Sequence, residues 1–426
     1  MKNKFYTEFD LERLKLSSTD QYRTYFQVDR DRIIHSSEFR RLQGKTQVFL
    51  PGEYDYYRTR LTHSIEVSQI GRSICNYLKI KEFKIFNLEY YIDSDLVETA
   101  CLAHDLGNPP FGHPCEFEIN RLMAKHGYGG YEGNAQTLRL LTEIFYKTES
   151  NKRGMNPCRA TIDSVLKYKA TFSSFETIPK NHFIYDSQKE FIDFIFANRE
   201  IPNEIDDPLS LNNFKSIECQ IMDWSDDTAY SINDIVDGIS GGFITTDKLE
   251  RWIESNKNNL TDFEIEVVKQ IITWIKEQNF KRKFSTRIGE FISACSIEHR
   301  QTFMDDLTNR YKYVLKVEEP IKVTSELYKR IALDLVFNSS QLHQIEFKGK
   351  TIIAKIYKIF RENYIEELSG EKILPEFTHN LLMNCKDKNK RARMICDYIS
   401  GMTDSYALRI YKRLFDPDYS SLADLI

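Results

Sequence analysis

The sequence has 426 residues, of which 41% are hydrophobic and 29% charged, and its formal net charge is −4. This composition is typical of a globular protein with a sizeable core, and it excludes a polycation that holds nucleic acid by charge alone. Glycine and proline are scarce, with 17 and 11 residues, and this scarcity favours helices over a turn-rich β fold. Since no secretory leader or membrane-spanning apolar stretch is evident, we expect a cytoplasmic protein without membrane contact. The eight cysteines form no Cys-x-x-Cys pair, which argues against a zinc ribbon or a disulfide framework.

The first predicted helices lead to an unusual break in the chain. Residues 29–43 are predicted to form one charged helix. From His63 onward, apolar residues recur at helical spacing, which places His63 on the buried face of the next helix. Asp93 can cap a third helix, which carries His104 and is stopped by the glycine and prolines of the stretch CLAHDLGNPPFGHPCE (101–116).

The remaining elements are also predicted to be mostly helical. A helix can resume over 114–126 after the break, and a long one over 216–238 ends at a glycine-rich stop. The other predictions are helices over 134–149, 160–169 and 187–198, a loop over 199–213, and helices from about 247 onward, with short strands over 314–318 and 321–324.

Four residues are candidate metal ligands. His63, the adjacent pair His104 and Asp105, and Asp226 lie on separate predicted helices. Each alone has an ordinary structural explanation, such as a buried histidine, a helix-end residue or a solvated acidic face. Together they offer two imidazoles and two carboxylates, a set that suits Mn²⁺, Fe, Ni²⁺ or Zn²⁺ and, less comfortably, Mg²⁺.

Longer motifs around these residues carry a family resemblance. The H…HD…D pattern is similar to the signature of HD-domain phosphohydrolases, and the surrounding words resemble the bacterial dGTPase family of deoxynucleoside triphosphate triphosphohydrolases. The words are RDRIIHSSEFRRLQGKTQVF (30–49), RTRLTHSIEVSQIGRSI (58–74), HDLGNPPFGHPCE (104–116), EGNAQTLR (132–139) and ISGMTDSYA (399–407).

The resemblance implies an architecture. It implies an all-α fold, with an HD-domain catalytic core over 1–245 and a mostly helical C-terminal region over 246–426 that packs on the core and contributes the GMTD segment. It also implies a homo-oligomer, often a hexamer, with a dNTP or single-stranded DNA as a possible regulator in some members.

The resemblance also implies the metal ligands, which are His63, His104, Asp105 and Asp226. Asp226 is preferred to its neighbour because the family pattern has a tyrosine four residues, and an aspartate eight residues, after the ligand. Mn²⁺ or Mg²⁺ is the expected ion.

The implied reaction is attack of water on the α-phosphorus of a dNTP, most often dGTP, with release of deoxynucleoside and intact triphosphate. His113 matches the family's catalytic histidine, and Glu116, three residues later on a helix, can orient its imidazole.

Substrate contacts follow by similarity. Gln47 and Asp234 are expected to bond the sugar 3′-hydroxyl, and Tyr230 to leave no room for a ribose 2′-hydroxyl. Arg60, Lys167 and Tyr168 are expected near the phosphates, with Lys180 a weaker candidate. LKYKA (166–170) departs from the Lys-Tyr-Pro expected in the family, which puts the local backbone there in doubt.

Two alternatives stay open. The metal set alone also fits a 5′-nucleotidase or a cyclic-nucleotide phosphodiesterase of the HD type. A nucleotide- or DNA-sensing regulator with a vestigial metal site would use the basic run KDKNKRAR (386–393), although a solvated charged helix is the slightly favoured explanation of that run. GKT at 44–46 is not a P-loop, because position 39 is phenylalanine where that motif needs glycine.

Overall fold

The computed structural model describes residues 3–15, 22–48, 58–145, 154–368 and 371–419, and these residues form an all-α fold with one small two-stranded sheet. The α-helices are α1 (Glu8–Leu11), α2 (Tyr25–Ile34), α3 (Ser37–Arg41), α4 (Arg60–Lys81), α5 (Ser94–Ala103), α6 (His113–Lys125), α7 (Gly133–Arg139), α8 (Arg159–Val165), α9 (Lys189–Ile195), α10 (Pro208–Asn213), α11 (Ile217–Ser240), α12 (Thr246–Asn256), α13 (Asp262–Lys276), α14 (Phe280–Ser293), α15 (Glu319–Ala332), α16 (Ser340–Arg361), α17 (Glu376–Met383), α18 (Lys388–Ser400) and α19 (Asp404–Phe415). The predicted fold class is confirmed.

Shorter helical turns and one hairpin complete the architecture. Turns of π-helix continue α7, α15 and α16 over Leu140–Ile144, Leu333–Phe337 and Glu362–Glu366. Turns of 3₁₀-helix lie at Leu42–Gly44, Phe172–Ser174, Asp186–Gln188, Asn203–Ile205 and Lys257–Asn259. Strands β1 (Cys295–His299) and β2 (Tyr313–Val317) pair antiparallel, with Ile297 opposite Leu315.

Helices α4, α5 and α11 form the centre of the fold and position the functional residues. Thr59 caps the start of α4 and Asp93 the start of α5, each side chain accepting a backbone N–H of the first turn. Facing sides of these helices are largely apolar, as at Val67, Ala100 and Ile221, which are inaccessible to solvent. Burying these faces against one another fixes how the polar residues on the same helices meet.

The C-terminal helices pack on helices within residues 1–245 of the chain. Helix α16 lies against α6, and Ile353 and Tyr357 share a buried hydrophobic cluster with Ile119 and Met123. Helix α15 lies against α11 in a second shared cluster. The division of the chain into 1–245 and 246–426 stays a prediction, and these contacts show that helices on either side of it share hydrophobic cores.

Several predicted elements are wrong in detail. The charged stretch 29–43 is two helices, because Ser36 accepts the N–H of Phe39 and caps a new helix, α3. Residues 321–324 lie in helix α15, where Pro320 stands at the first turn, and the strand that pairs with β2 is β1. The predicted loop 199–213 contains α10, capped by Asp207.

Other predicted elements agree closely with the structure. The helices over 114–126 and 216–238 are α6 and α11, and the strand over 314–318 is β2. The helices over 160–169 and 187–198 are present but shorter, as α8 and α9. The helix over 134–149 is α7 with its π-helical turn, and its last four positions lie outside the described residues.

Two further features concern the whole described part of the chain. None of its helices combines the length and apolar character needed to cross a lipid bilayer. All eight cysteines are free thiols, and seven of them are buried.

Candidate active site

A single cavity collects most of the predicted site residues from distant parts of the chain. Eleven of the twelve line it: Gln47, Arg60, His63, His104, Asp105, His113, Glu116, Lys167, Tyr168, Asp226 and Tyr230. Asp234 is the twelfth and lies behind the wall, one helical turn beyond Tyr230 on α11.

The four predicted metal ligands converge at the floor of the cavity. Ligand atoms of His63, His104 and Asp105 lie within 4.8 Å of one another. Asp226 Oδ1 lies 3.1 Å from His63 Nε2 and 3.4 Å from His104 Nε2. His63 is on α4, His104 ends α5, and Asp226 is on α11, so the packing of the three central helices assembles the cluster.

The atoms of the cluster fit a divalent cation. His104 Nδ1 lies 2.6 Å from the carbonyl oxygen of Cys101, which fixes the proton on Nδ1 and leaves the Nε2 lone pair free. Within the described part of the chain, that Nε2 is buried and has no hydrogen-bond partner. A buried acceptor without a partner costs free energy, and a metal ion bound to the nitrogens and carboxylates around it removes that cost.

The two predicted phosphate-binding cations are held by the same carboxylates. Arg60 Nη1 lies 2.6 Å from Asp105 Oδ2, and Lys167 Nζ lies 2.6 Å from Asp226 Oδ2. Burial alone raises the pKa of both carboxyls, but the neighbouring histidines and these cations outweigh it and hold each pKa below its ordinary value. Both carboxyls are therefore ionised, as metal ligands must be.

The Pro-Pro turn presents a second group of residues across the cavity. Phe111 and Gly112 both have positive φ, 62° and 74°, and α6 starts immediately after them. His113 is the first residue of α6, and its Nδ1 lies 2.9 Å from Glu116 Oε2. The other oxygen of Glu116 accepts the N–H of Gly133 at 2.7 Å, so the carboxylate that orients His113 is itself fixed.

His113 is the most accessible of these groups, with 64% of its side chain exposed. Desolvation within the cavity lowers the pKa of His113, but the hydrogen bond and negative charge of Glu116 raise it, and the net shift is upward. Water screens part of this interaction because the ring is exposed. The ring can therefore hold a proton beside the cavity at neutral pH more readily than a free histidine.

Of the residues predicted to hold the sugar, Gln47 and Tyr230 line the cavity and Asp234 does not. Gln47 Oε1 and Asp234 Oδ2 are both buried without a hydrogen-bond partner among the described residues. The ring of Tyr230 stacks on Phe337, with centroids 6.1 Å apart and planes 7° from parallel. Burial raises the pKa of Asp234 well above its ordinary value, so this carboxyl can carry a proton.

Sequence reasoning missed several residues of the cavity wall: Asn108, Phe117, Glu132, Asn134, Asn181, His182, Asp227 and Phe337. Glu132 and Asn134 belong to the EGNAQTLR motif, which could have identified them. Burial and the neighbouring Glu116 raise the pKa of Glu132 to about 8. The rings of His182 and Tyr168 stack with their centroids 4.2 Å apart. No local sequence signal identifies either His182 or Phe337.

The structure also places three weaker candidates from the sequence, which are Asp227, Lys180 and the basic run 386–393. Asp227 is directed to α15, where it pairs with Lys329 at 3.0 Å, so the two adjacent aspartates have separate partners. Lys180 is exposed and does not line the cavity. In the basic run, Lys386, Lys388 and Lys390 are exposed, whereas Arg391 is buried and Arg393 lies over the ring of Tyr185.

Two models of known domains match the chain. The HD domain matches residues 60–158, which include His63, His104, Asp105 and the Pro-Pro turn, and the phosphohydrolase-associated domain matches residues 315–413. Asp226 lies outside both matched ranges, and its place in the cluster comes from the three-helix packing described above.

Curated relatives extend the match to nearly the whole chain. A deoxyguanosinetriphosphate triphosphohydrolase-like protein of Shewanella woodyi is 32% identical, and its match covers 95% of both chains. Proteins of the same description from Shewanella sediminis and Aliivibrio salmonicida are 34% and 35% identical, also over 95% of each chain. The resemblance in the motifs is thereby confirmed, and the chain belongs to the family of HD-domain deoxyguanosinetriphosphate triphosphohydrolase-like proteins.

Proposed function

We propose that this HD-domain phosphohydrolase hydrolyses deoxynucleoside triphosphates, dGTP foremost, to deoxynucleoside and inorganic triphosphate. The observation that carries the proposal is that the metal-type cluster and the His113–Glu116 pair face one cavity, across a single turn. The curated relatives are described as deoxyguanosinetriphosphate triphosphohydrolase-like proteins, which agrees with this proposal.

The cluster of His63, His104, Asp105 and Asp226 is the proposed metal site. A bound Mn²⁺ or Mg²⁺ supplies a Lewis acid that stabilises charge on the α-phosphate. The protein contributes a rigid set of ligands, because three of the four come from helices packed in the apolar core. Asn108 Nδ2 donates to Asp105 Oδ1 and holds this carboxylate in place.

The proposed proton donor is His113. Water adds to the α-phosphorus and releases a proton to the solvent, the bond from phosphorus to the sugar 5′-oxygen breaks, and His113 gives its proton to that oxygen. An alkoxide is a poor leaving group at neutral pH, so a positioned acid is the group that this bond cleavage needs. The raised pKa of His113 keeps the acid form available, and Glu116 holds the ring.

Arg60 and Lys167 are proposed to contact the triphosphate. Both line the cavity beside the metal cluster, and their side chains are 2% and 11% exposed. Buried cations placed before the substrate arrives stabilise developing charge without reorganisation. Tyr168, packed on His182, completes this side of the cavity.

Sugar selection is proposed to depend on Gln47, Tyr230 and Asp234. The unsatisfied oxygens of Gln47 and Asp234 are suited to accept from, or share a proton with, a sugar hydroxyl. Tyr230 cannot withdraw easily because Phe337 stacks against it. A ribose 2′-hydroxyl against this ring meets a steric penalty that deoxyribose avoids.

Identification of the products tests this function directly. ³¹P NMR of dGTP incubated with the protein and Mn²⁺ or Mg²⁺ is expected to show tripolyphosphate, with deoxyguanosine as the partner product. Pyrophosphate with dGMP, or orthophosphate with dGDP, would place the cleavage at another bond. Hydrolysis of a nucleoside monophosphate or a cyclic nucleotide, without tripolyphosphate release, would favour the other HD phosphohydrolases.

Base preference, assembly and regulation also stay proposals. Assays of the four dNTPs alone and in pairs measure the base preference and show whether one nucleotide activates hydrolysis of another. Light scattering after size-exclusion chromatography measures whether the chain forms a homo-oligomer, with a hexamer expected. Adding single-stranded DNA to the same assays tests it as a regulator.

A further inference from the structure

The GMTD segment of the C-terminal region contacts the catalytic turn through one carboxylate. Asp404 is the first residue of α19 and is 6% exposed. Its Oδ1 accepts the backbone N–H of Phe111 at 2.9 Å, and its Oδ2 accepts the backbone N–H of Thr46 at 2.9 Å and the Thr46 hydroxyl. We call these three residues the Asp404 clamp.

Both partners of Asp404 stand next to proposed site residues. Phe111 is two positions before His113, and Thr46 directly precedes Gln47. The α6 helix starts at His113, so the backbone at Phe111 and Gly112 determines where the imidazole enters the cavity. Holding Phe111 therefore also fixes the position of His113.

Phe111 needs such a restraint because its backbone is in the left-handed region, with φ 62°. Residues with a Cβ atom seldom adopt this conformation, and they do so where surrounding contacts compensate the strain. A Cβ added at Gly349 of α16 would lie 2.8 Å from Phe111 Cβ, so the helix packs as closely as the glycine allows. The hydrogen bond to Asp404 and this contact both come from the C-terminal helices.

A parallel contact holds the metal side of the same turn. Lys45 is 2% exposed, and its Nζ donates to the carbonyl oxygens of Asn108 at 2.6 Å and Ser400 at 2.7 Å. Asn108 in turn holds Asp105. The clamp and the lysine therefore contact different residues of the turn, Phe111 and Asn108 respectively.

We propose that Asp404, in the C-terminal region, is a positioning residue. It holds His113, and secondarily Gln47, in the orientation that faces the cavity. The inference rests on the proposed function, because the proposed proton transfer by His113 depends on the orientation of its imidazole. A shift of about 1 Å in a catalytic group can cost about 10²-fold in rate. Asp404 itself does not line the cavity, so it acts through its partners.

Asp404→Asn is the main test because it keeps the shape of the side chain. An amide has one acceptor oxygen, and its NH₂ group meets either the Phe111 or the Thr46 N–H as donor against donor. We expect kcat for dGTP to fall about 10–100-fold, with metal affinity changed less than about twofold. Asp404→Glu, which keeps the charge but lengthens the side chain, is the second variant in case the first folds poorly.

Asp397→Asn is the matched control. Asp397 lies on α18, seven residues before Asp404, and is also a partly buried carboxylate, 15% exposed, in an ion pair with Arg139. It contacts α7 and not the turn. We expect this variant to lower thermal stability while leaving kcat within about threefold of wild type.

A double-mutant cycle with His113→Ala separates positioning from general damage. If Asp404 acts through His113, Asp404→Asn changes kcat less than about threefold in the His113→Ala background. An equal loss in both backgrounds would overturn the proposal, because it would show a role independent of His113.

Hydrogen exchange followed by mass spectrometry gives a readout without turnover. Peptides spanning residues 106–115 are expected to exchange faster in Asp404→Asn than in wild type, and not in Asp397→Asn. Unchanged exchange there would overturn the clamp. A wild-type protein that releases no tripolyphosphate from any dNTP would instead contradict the proposed function, while the exchange comparison would still decide whether Asp404 holds the turn.

Discussion

The two sides of the Pro-Pro turn are built differently. On the metal side, the side chains of His63 and His104 are each 3% exposed and lie on helices locked into the apolar core. On the other side, His113 is 64% exposed and is held by the single carboxylate of Glu116. The turn joins a buried, preassembled cluster to an accessible ring.

This difference follows from what the two sides are proposed to do. Metal ligands need fixed positions and permanent ionisation, which the buried cations beside Asp105 and Asp226 secure. A proton donor needs to reach both substrate and water, so that it can be reprotonated between turnovers. Rigidity on one side and access on the other are therefore compatible. The turn keeps the metal cluster and the His113 ring at a fixed separation.

The largest expected effect comes from breaking the metal side. Asp226→Ala removes a carboxylate that lies within 3.5 Å of both histidines, and we expect turnover to fall by at least about 10³-fold because metal catalysis supplies several kcal/mol. Steady-state release of tripolyphosphate measures it. Asp227→Ala is the neighbouring control, since that residue pairs with Lys329, and it should retain most activity. The reverse ranking would contradict the assignment of Asp226.

The next effect comes from the accessible side. His113→Ala removes the proposed acid, and we expect kcat to fall about 10²–10⁴-fold, as is typical for a general acid–base group. The KM for dGTP is expected to change much less than kcat, because the ring contributes to the transition state more than to binding. A variant that kept wild-type kcat would show that the proton comes from elsewhere.

A smaller effect concerns the pH dependence that Glu116 imposes. The net shift raises the pKa of His113 above its ordinary value of 6.5, so its acid form persists to higher pH and turnover declines as pH rises through that pKa. Glu116→Gln removes the negative charge and lowers this pKa, so the alkaline decline should move to lower pH. Profiles of kcat against pH for both proteins measure the displacement; coincident profiles would separate Glu116 from His113.

The smallest effect concerns the sugar. Tyr230→Ala opens space beside the proposed deoxyribose position, and we expect the preference for dGTP over GTP in kcat/KM to fall about tenfold. Competition between the two nucleotides in one assay measures this ratio. If the preference were unchanged, the ring of Tyr230 would have no part in excluding the 2′-hydroxyl.

The sequence was sufficient for the fold class and for most of the cavity wall, and the reasons are local. The helical spacing after His63 and the cap at Asp93 are short-range signals, and seven of the eleven predicted residues that line the cavity lie within the quoted motif words. The break at Ser36 was missed because its capping role depends on a single hydroxyl within a charged stretch that otherwise favours helix.

Long-range packing accounts for what the sequence did not predict. Phe337 and His182 reach the cavity from segments without a motif, and their roles depend on stacking against Tyr230 and Tyr168. The pairing of β1 with β2 also depends on tertiary structure. Residues 295–299 follow directly after α14, and no local signal separates this strand from the helix.

Mn²⁺ binding to wild type and two variants tests most directly whether the two sides of the turn have separate roles. Titration of wild type, His113→Ala and Asp226→Ala with Mn²⁺, followed by electron paramagnetic resonance of the free ion, measures affinity without any turnover. The account predicts that His113→Ala binds Mn²⁺ as wild type does while losing activity, and that Asp226→Ala loses the site. Loss of Mn²⁺ binding in His113→Ala, or its full retention in Asp226→Ala, would contradict the assignment of separate roles to the two sides of the turn.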